Sequence, residues 1–212
     1  MRLQKASSKA IKYAIMNWHY SKIVPICQCS FSVFNNANEW CGVICYSLGA
    51  NKNISNPYGL TQGSVCELVR VALNGKQEST SKAVSLSISL LKKKCPIIKL
   101  IVSYADTEQG HCGTLYQATN WYYTGASRGS VPLLNGKKIH KRTYSSVHGS
   151  YSGVTMIRTK DKHKYIYPLD KSLIPLCMSL SKPYPKKNAS EVLPVAQQTS
   201  SLKEGFDSTM TL

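Results

Sequence analysis

Acidic side chains are scarce in this chain: ten Asp and Glu stand against 27 Lys and Arg, a formal net charge of +17 at pH 7. So one-sided a balance makes a polyanion the first expected partner, nucleic acid ahead of an anionic membrane or an acidic protein. Long apolar runs are missing too. No stretch approaches the roughly 20 residues that a membrane-spanning helix needs, and Met1 to Lys5 opens no apolar signal segment, so a cytoplasmic protein with no membrane partner is expected. Internal repeats are absent. Eight cysteines are present, but the Cys27-x-Cys29 pair and the Cys41/Cys45 pair do not repeat as paired zinc-knuckle spacings, so reduced, mostly buried thiols are expected in place of a structural zinc or bridges.

What is present supports one folded domain. The 212 residues and 42% hydrophobic content suffice for a single sizeable core. Ser7 or Ser8 is placed to cap a helix whose apolar face is Ile11, Ala14, Ile15 and Trp18, with His19 at its end. Phe31 to Phe34 and Trp40 to Leu48 read as strands around the turn Asn35-Asn36-Ala37-Asn38, and Val65 to Leu73 as a third. A helix from about Ser79 carries Val84, Ile88 and Leu91 on one face, three lysines in its last turn, and Pro96 as its stop. Strand Ile97 to Ser103, helix Thr114 to Thr119 and strand Trp121 to Thr124 follow, then a hairpin, Ser152 to Arg158 with His163 to Tyr167, around Thr159 to Lys162. This alternation predicts a mixed α/β sheet over residues 1–180. Residues 181–212, rich in Ser, Gln and Thr, are expected to be a disordered tail.

Charge is concentrated between Arg128 and Lys164, where nine cations accompany one acid, Asp161, with tyrosines interleaved. Cations for phosphates beside aromatics for bases are what a nucleic-acid face needs. Lys22, Lys138, Arg142, Arg158, Lys160, Lys162, Lys164 and Tyr165 are the expected contacts. His163, inside Lys162-His163-Lys164, belongs to the same basic segment.

Ser103 to Gly125 is the most informative stretch. A strand delivers Asp106 to its end, a Gly-punctuated loop carries His111, and a short helix presents Tyr116. Carboxylate, imidazole and phenol together can supply acid–base chemistry at a strand-end crevice. Read as structure alone, Asp106 caps the next helix, His111 is a loop residue and Tyr116 packs in the core; the residues by themselves leave both readings open. Arg70, mid-strand among apolar residues, needs a partner (Glu39, Glu67 or Asp106) or a ligand. Glu67 should face away from it by strand alternation.

The blocks Ser103-Tyr104-Ala105-Asp106, Gln109-Gly110-His111 with Gly113-Thr114, and Tyr116-Gln-Ala-Thr-Asn-Trp121 resemble the phage Mom family, relatives of the GNAT acyltransferases. His19-Tyr20-Ser21-Lys22 and Glu67-Leu68-Val69-Arg70-Val71 fit in the same order, so the resemblance spans roughly residues 10 to 170. It implies a GNAT-like, strongly bent mixed sheet with flanking helices. It also implies a transferase that places a carbamoylmethyl-type group on the exocyclic amine of adenine in double-stranded DNA, shielding phage DNA from restriction in the cytoplasm of the bacterial host. Asp106, Tyr116, His19, Arg70 and Ser103 are the implied catalytic set. Base flipping, a small-molecule donor and a homodimer go with it. His19, His111 and Asp106 have the ligand types of a transition-metal site such as iron. The GNAT pyrophosphate loop is replaced by Asn74 to Ser81, where Lys76, Ser79 and Ser81 at a helix start could still hold an anion, so acetyl-CoA is a doubtful donor. A conventional GNAT acyltransferase acting on a protein, RNA or small amine, and a non-catalytic DNA-binding protein, are the rival readings.

Overall fold

The computed structural model describes residues 1–49, 53–139 and 141–186. Its eight-stranded sheet runs β1-β2-β3-β4-β5-β8-β6-β7. The strands are β1 (Arg2–Lys5), β2 (Cys29–Phe34), β3 (Trp40–Ser47), β4 (Val65–Leu73), β5 (Leu100–Asp106), β6 (Tyr122–Leu134), β7 (Lys137–Lys138) and β8 (Met156–Pro168). All neighbours pair antiparallel except β4 and β5, which are parallel. The helices are α1 (Ser8–Trp18), α2 (Thr80–Lys94), α3 (Thr114–Gln117), α4 (Lys141–His148) and α5 (Ile174–Leu180). The mixed sheet with flanking helices expected from the sequence is the architecture found.

Alternation along β3 divides the core between the two faces. Val43 and Cys45 pack with Ala14 and Ile15 of α1, while Ile44 and Tyr46 pack with Val84, Ile88 and Leu91 of α2. Ser7 caps α1 by accepting from the Ala10 N–H at 3.2 Å, and Ser79 caps α2 by accepting from the Lys82 N–H at 3.2 Å. A third cluster joins Val65, Leu100, Val102 and Ile166 to Cys177 of α5.

Four expectations need correction. The strand expected from Ile97 begins at Leu100, because Pro96 to Ile98 turn out of α2, with the Ile98 N–H on the Cys95 carbonyl at 3.0 Å and Ile97 left 66% exposed. The strand expected to stop at Thr124 continues to Leu134. The expected hairpin at 152–167 is instead one 13-residue strand, β8, paired along β6. Its charged stretch is absorbed by a bulge: Ser127 pairs Lys162 while Gly129 pairs Thr159, so β8 gains a residue there. The expected tail boundary also shifts. The Lys182 N–H bonds the Tyr123 carbonyl at 2.8 Å and the Tyr184 hydroxyl the Trp121 carbonyl at 2.7 Å, so packing continues past 181. Residues 187–212 lie outside the described residues.

Candidate active site

The parallel pair β4–β5 is joined only at Val65–Glu67 and Leu100–Val102, after which the strands diverge. At the point of separation the side chain of Ser103 takes over the next rung, its Oγ lying 2.7 Å from the Leu68 carbonyl. Opposite it on β3, Cys45 pairs Arg70 while Tyr46 pairs Leu68, so Val69 is an extra residue in β4. This bulge offsets the alternation, and Glu67 and Arg70 both line the resulting crevice of about 660 Å³. The expectation that Glu67 faces away is therefore overturned.

Trp18, His19 and Tyr20, from the end of α1, form one wall. His111, Cys112 and Tyr116 form another, with Lys162 from β8. The 111–117 wall rests on Tyr165, whose hydroxyl donates to the Cys112 carbonyl at 2.5 Å. Gly113 is required there. Its φ is +81°, and a Cβ would stand 2.4 Å from the Tyr165 ring.

Asp106 stands just behind the crevice wall. Its carboxylate accepts from the Glu108 N–H at 3.1 Å and the Tyr20 hydroxyl at 3.3 Å, and pairs with Lys162 Nζ at 3.1 Å. Burial raises its pKa, but the Lys162 bond and charge, with these other donors, outweigh it and hold the carboxyl below its ordinary value. Asp106 thus caps the 3-10 turn Thr107–Gln109, as the structural reading has it, and also presents an ionised acceptor to the wall.

Tyr116 is partly buried at the crevice wall, and desolvation pushes its pKa up to about 12. Its hydroxyl lies 2.7 Å from Ser103 Oγ. Ser103 has one proton for two neighbours, and the Leu68 carbonyl can only accept. While Ser103 donates to Leu68, Tyr116 donates to Ser103; if Tyr116 loses its proton, Ser103 can turn and donate to it.

His19 caps α1, its N–H on the Ile15 carbonyl at 3.2 Å. Burial first, then the charges of Arg70, His111 and Lys22, lower its pKa to about 4, so the ring is neutral near pH 7. The Ser21 N–H donates to its Nδ1 at 3.2 Å, which puts the ring proton on Nε2. Arg70 reaches the Ile23 carbonyl through Nε and an Nη at 3.3 and 3.1 Å, and the Val69 carbonyl at 2.7 Å. Its partners are thus backbone carbonyls.

The Tyr20 ring stacks on His19 at 4.4 Å and meets His111 edge-on at 5.8 Å. It stands among the three groups expected as metal ligands. Among the described residues no group of three or more His, Cys, Asp or Glu converges to hold an ion, and His19 Nε2 carries a proton, so the arrangement does not fit a resident metal. All eight cysteines are free thiols. Tyr20 and Lys162 complete the site although sequence reasoning did not assign them to it; the signal for Tyr20 was its place directly after His19 at the helix end.

Other expected residues fall elsewhere. Lys76, Ser79 and Ser81 do not line the crevice. Ser79 and Ser81 bond each other at 3.0 Å, the Lys76 N–H bonds Asn74 at 3.0 Å, and beside them Glu78 accepts the Asn36 N–H at 2.5 Å. Tyr165 is fully buried, so it cannot stack on a base. Lys164 is partly buried, 5.1 Å over the Tyr58 ring, with its pKa lowered by burial. Arg158 pairs Asp161 at 3.3 Å, and Lys22 Nζ bonds the Asn17 carbonyl at 3.2 Å. Lys138 and Lys160 are exposed. Arg142 lies in α4, and its side chain is outside the described residues.

A model of the Mom protein family matches residues 1–186. The methylcarbamoylase mom of Escherichia phage Mu is 25% identical over 174 residues, 78% of this chain and 72% of that protein. Among solved structures, mutant forms of the spermidine/spermine N-acetyltransferase SpeG from Vibrio cholerae are similar at 11% identity and a TM-score of 0.46, covering 81% of this chain and 96% of that one. A Bacillus subtilis acetyltransferase in complex with CoA is similar at 12% identity and a TM-score of 0.46, covering 79% and 97%. No described helix is long and apolar enough to cross a membrane.

Proposed function

The chain belongs to the Mom protein family, and from that premise we propose that it is a phage transferase that modifies the exocyclic amine of adenine in DNA and thereby blocks restriction. The relative from phage Mu is named a methylcarbamoylase, which supports a group of that kind. The observation that carries the reading is the ionised Asp106 carboxylate just behind the wall of a 660 Å³ crevice, bonded to two of the residues that line it, Tyr20 and Lys162. That volume lies within the range of about 300 to 1,000 Å³ usual for small-ligand sites.

The adenine amine is a poor nucleophile because its lone pair is spread into the ring. An N–H of that amine takes the place of the Tyr20 hydroxyl on Asp106, the longest of the carboxylate's bonds. Asp106 then holds the N–H against the positive charge that develops as the lone pair forms the new N–C bond, and accepts that proton once the bond has formed, when the substituted ammonium is far more acidic than the parent amine. Its lowered pKa suits an acceptor better than a strong base. The leaving group departs with its bonding pair and takes a proton from Tyr116, and the Ser103 hydroxyl turns to donate to the resulting phenolate. Ser103 is therefore a positioning residue, and so is Arg70, which ties the 20–28 segment to β4. The Glu78 carboxylate at the start of α2 is unfavourable for a diphosphate, which supports a small donor other than acetyl-CoA.

Plasmid DNA from cells expressing the protein should resist several endonucleases whose sites contain adenine, and DNA from cells expressing Asp106→Asn should be cut. Full cleavage of the wild-type sample, with abundant folded protein, would reject the reading.

A further inference from the structure

Between α1 and β2 the chain leaves an apolar arch in solvent. Ile26 is 90% exposed, Ile23 67% and Val24 42%. Single exposed apolar side chains are ordinary, but three within four residues mark a contact surface. The arch is stiffly mounted. Pro25 fixes one φ, the Lys22 N–H bonds the His19 carbonyl at 3.2 Å, and the Gln28 N–H bonds the Tyr46 carbonyl at 2.9 Å. Arg70, a wall residue of the crevice, grips the Ile23 carbonyl from below. The arch therefore stands on the rim of the site that holds His19 and Tyr20.

The sequence that flanks it is one-signed. The first 38 residues contain five cations, Arg2, Lys5, Lys9, Lys12 and Lys22, and no acid. A second copy docked on this face would bring Lys22 against its own counterpart, whereas a polyanion neutralises it. The adenine amine, for its part, is paired inside the duplex and must leave the stack to be reached. Proteins that open a duplex often fill the gap with Ile, Leu, Met or Pro side chains.

We propose that residues 22–26, led by Ile26 and Ile23, are a wedge that enters the base stack of duplex DNA and occupies the gap left as the target adenine turns into the crevice. The wedge rests on the reading of the crevice as an adenine site, but its action is unstacking, which needs no donor and can be followed separately. Ile26 and Ile23 fill the gap, Pro25 keeps the arch from folding back, and Lys22 contacts a flanking phosphate.

The test uses the full chain and mixed-sequence duplex oligonucleotides carrying 2-aminopurine in place of single adenines, with permanganate reactivity of the opposite thymine as a second readout. The wild type should raise both signals. The variant Ile23→Ser with Ile26→Ser should lose them by about tenfold or more, while duplex affinity and its salt dependence, set by phosphate contacts, stay within about threefold. Because the side chains are exposed, its melting temperature should be unchanged. Unstacking signals that persist in the variant overturn the wedge. So does a wild type that modifies DNA in cells yet unstacks nothing, or a variant whose only change is from dimer to monomer. Unstacking by a wild type that leaves cellular adenine unmodified would keep the wedge and reject the transferase reading instead.

Discussion

Tyr116, Ser103 and the Leu68 carbonyl form one short chain of hydrogen bonds, and Asp106, Lys162 and Tyr20 form another, at the same crevice. Removing a proton-transfer or charge-holding group should lower modification by roughly two to four decades. Tyr116→Phe and Asp106→Asn should each do so. Tyr116→Phe should keep its stability, because Ser103 retains the Leu68 carbonyl. Near wild-type modification by either variant would remove its assigned role. His19 gives a separate, pH-dependent test. Its folded pKa is about 4 against an ordinary 6.5, so between those values the unfolded chain binds a proton that the folded chain refuses. Stability must therefore fall as pH drops from about 6.5 to 4. Asp106, held below its ordinary 3.8, adds a loss only below that window. His19→Gln should flatten the melting-temperature profile between pH 6.5 and 4, and a retained slope would assign it to another group. Asp106 and Tyr116 were legible in the sequence because they sit ten residues apart in one local block. Tyr20 and Lys162 reach the site from α1 and β8, and no local pattern announces that convergence.

Element boundaries were legible where a side chain sets them: Ser7 and Ser79 as caps, Val65 to Leu73 as an apolar strand, Lys92 to Lys94 at a helix end. The β8 strand was not, since Thr159 to Lys162 carries the composition of a turn yet lies on a ribbon with a solvated face, and its bulge takes up the extra residue. The Val69 bulge was equally hidden, because strand periodicity alone cannot count an insertion that only the partner strand defines. The loop that presents His111 and Tyr116 depends on Gly113 lying over Tyr165. Gly113→Ala combines an unfavourable φ with a 2.4 Å approach to that ring. It should cost about 2 kcal/mol or more, lowering the melting temperature by roughly 4–8 °C in a chain of this size. An unchanged transition would mean that the loop repacks freely and that Tyr165 does not position it.

At the scale of the whole molecule, the net charge of +17 was plain from composition, but which cations are available was not. Burial removes Tyr165 and half-covers Lys164, and Asp106 engages Lys162, so the basic segment offers fewer phosphate contacts than its sequence suggests. Lys160→Gln should reduce the slope of log affinity for duplex DNA against log salt by about 0.9, the value for one contact. Lys164→Gln should leave that slope unchanged, and equal effects from both would show that Lys164 turns outward on DNA. The charge pattern, the crevice and the family membership converge on one chemical outcome, which mass spectrometry of nucleosides from the DNA of expressing cells measures most directly. A heavier deoxyadenosine derivative should be present with the wild type and absent with Asp106→Asn. Identical nucleoside profiles for the two, with both proteins folded and abundant, would contradict adenine modification by this crevice.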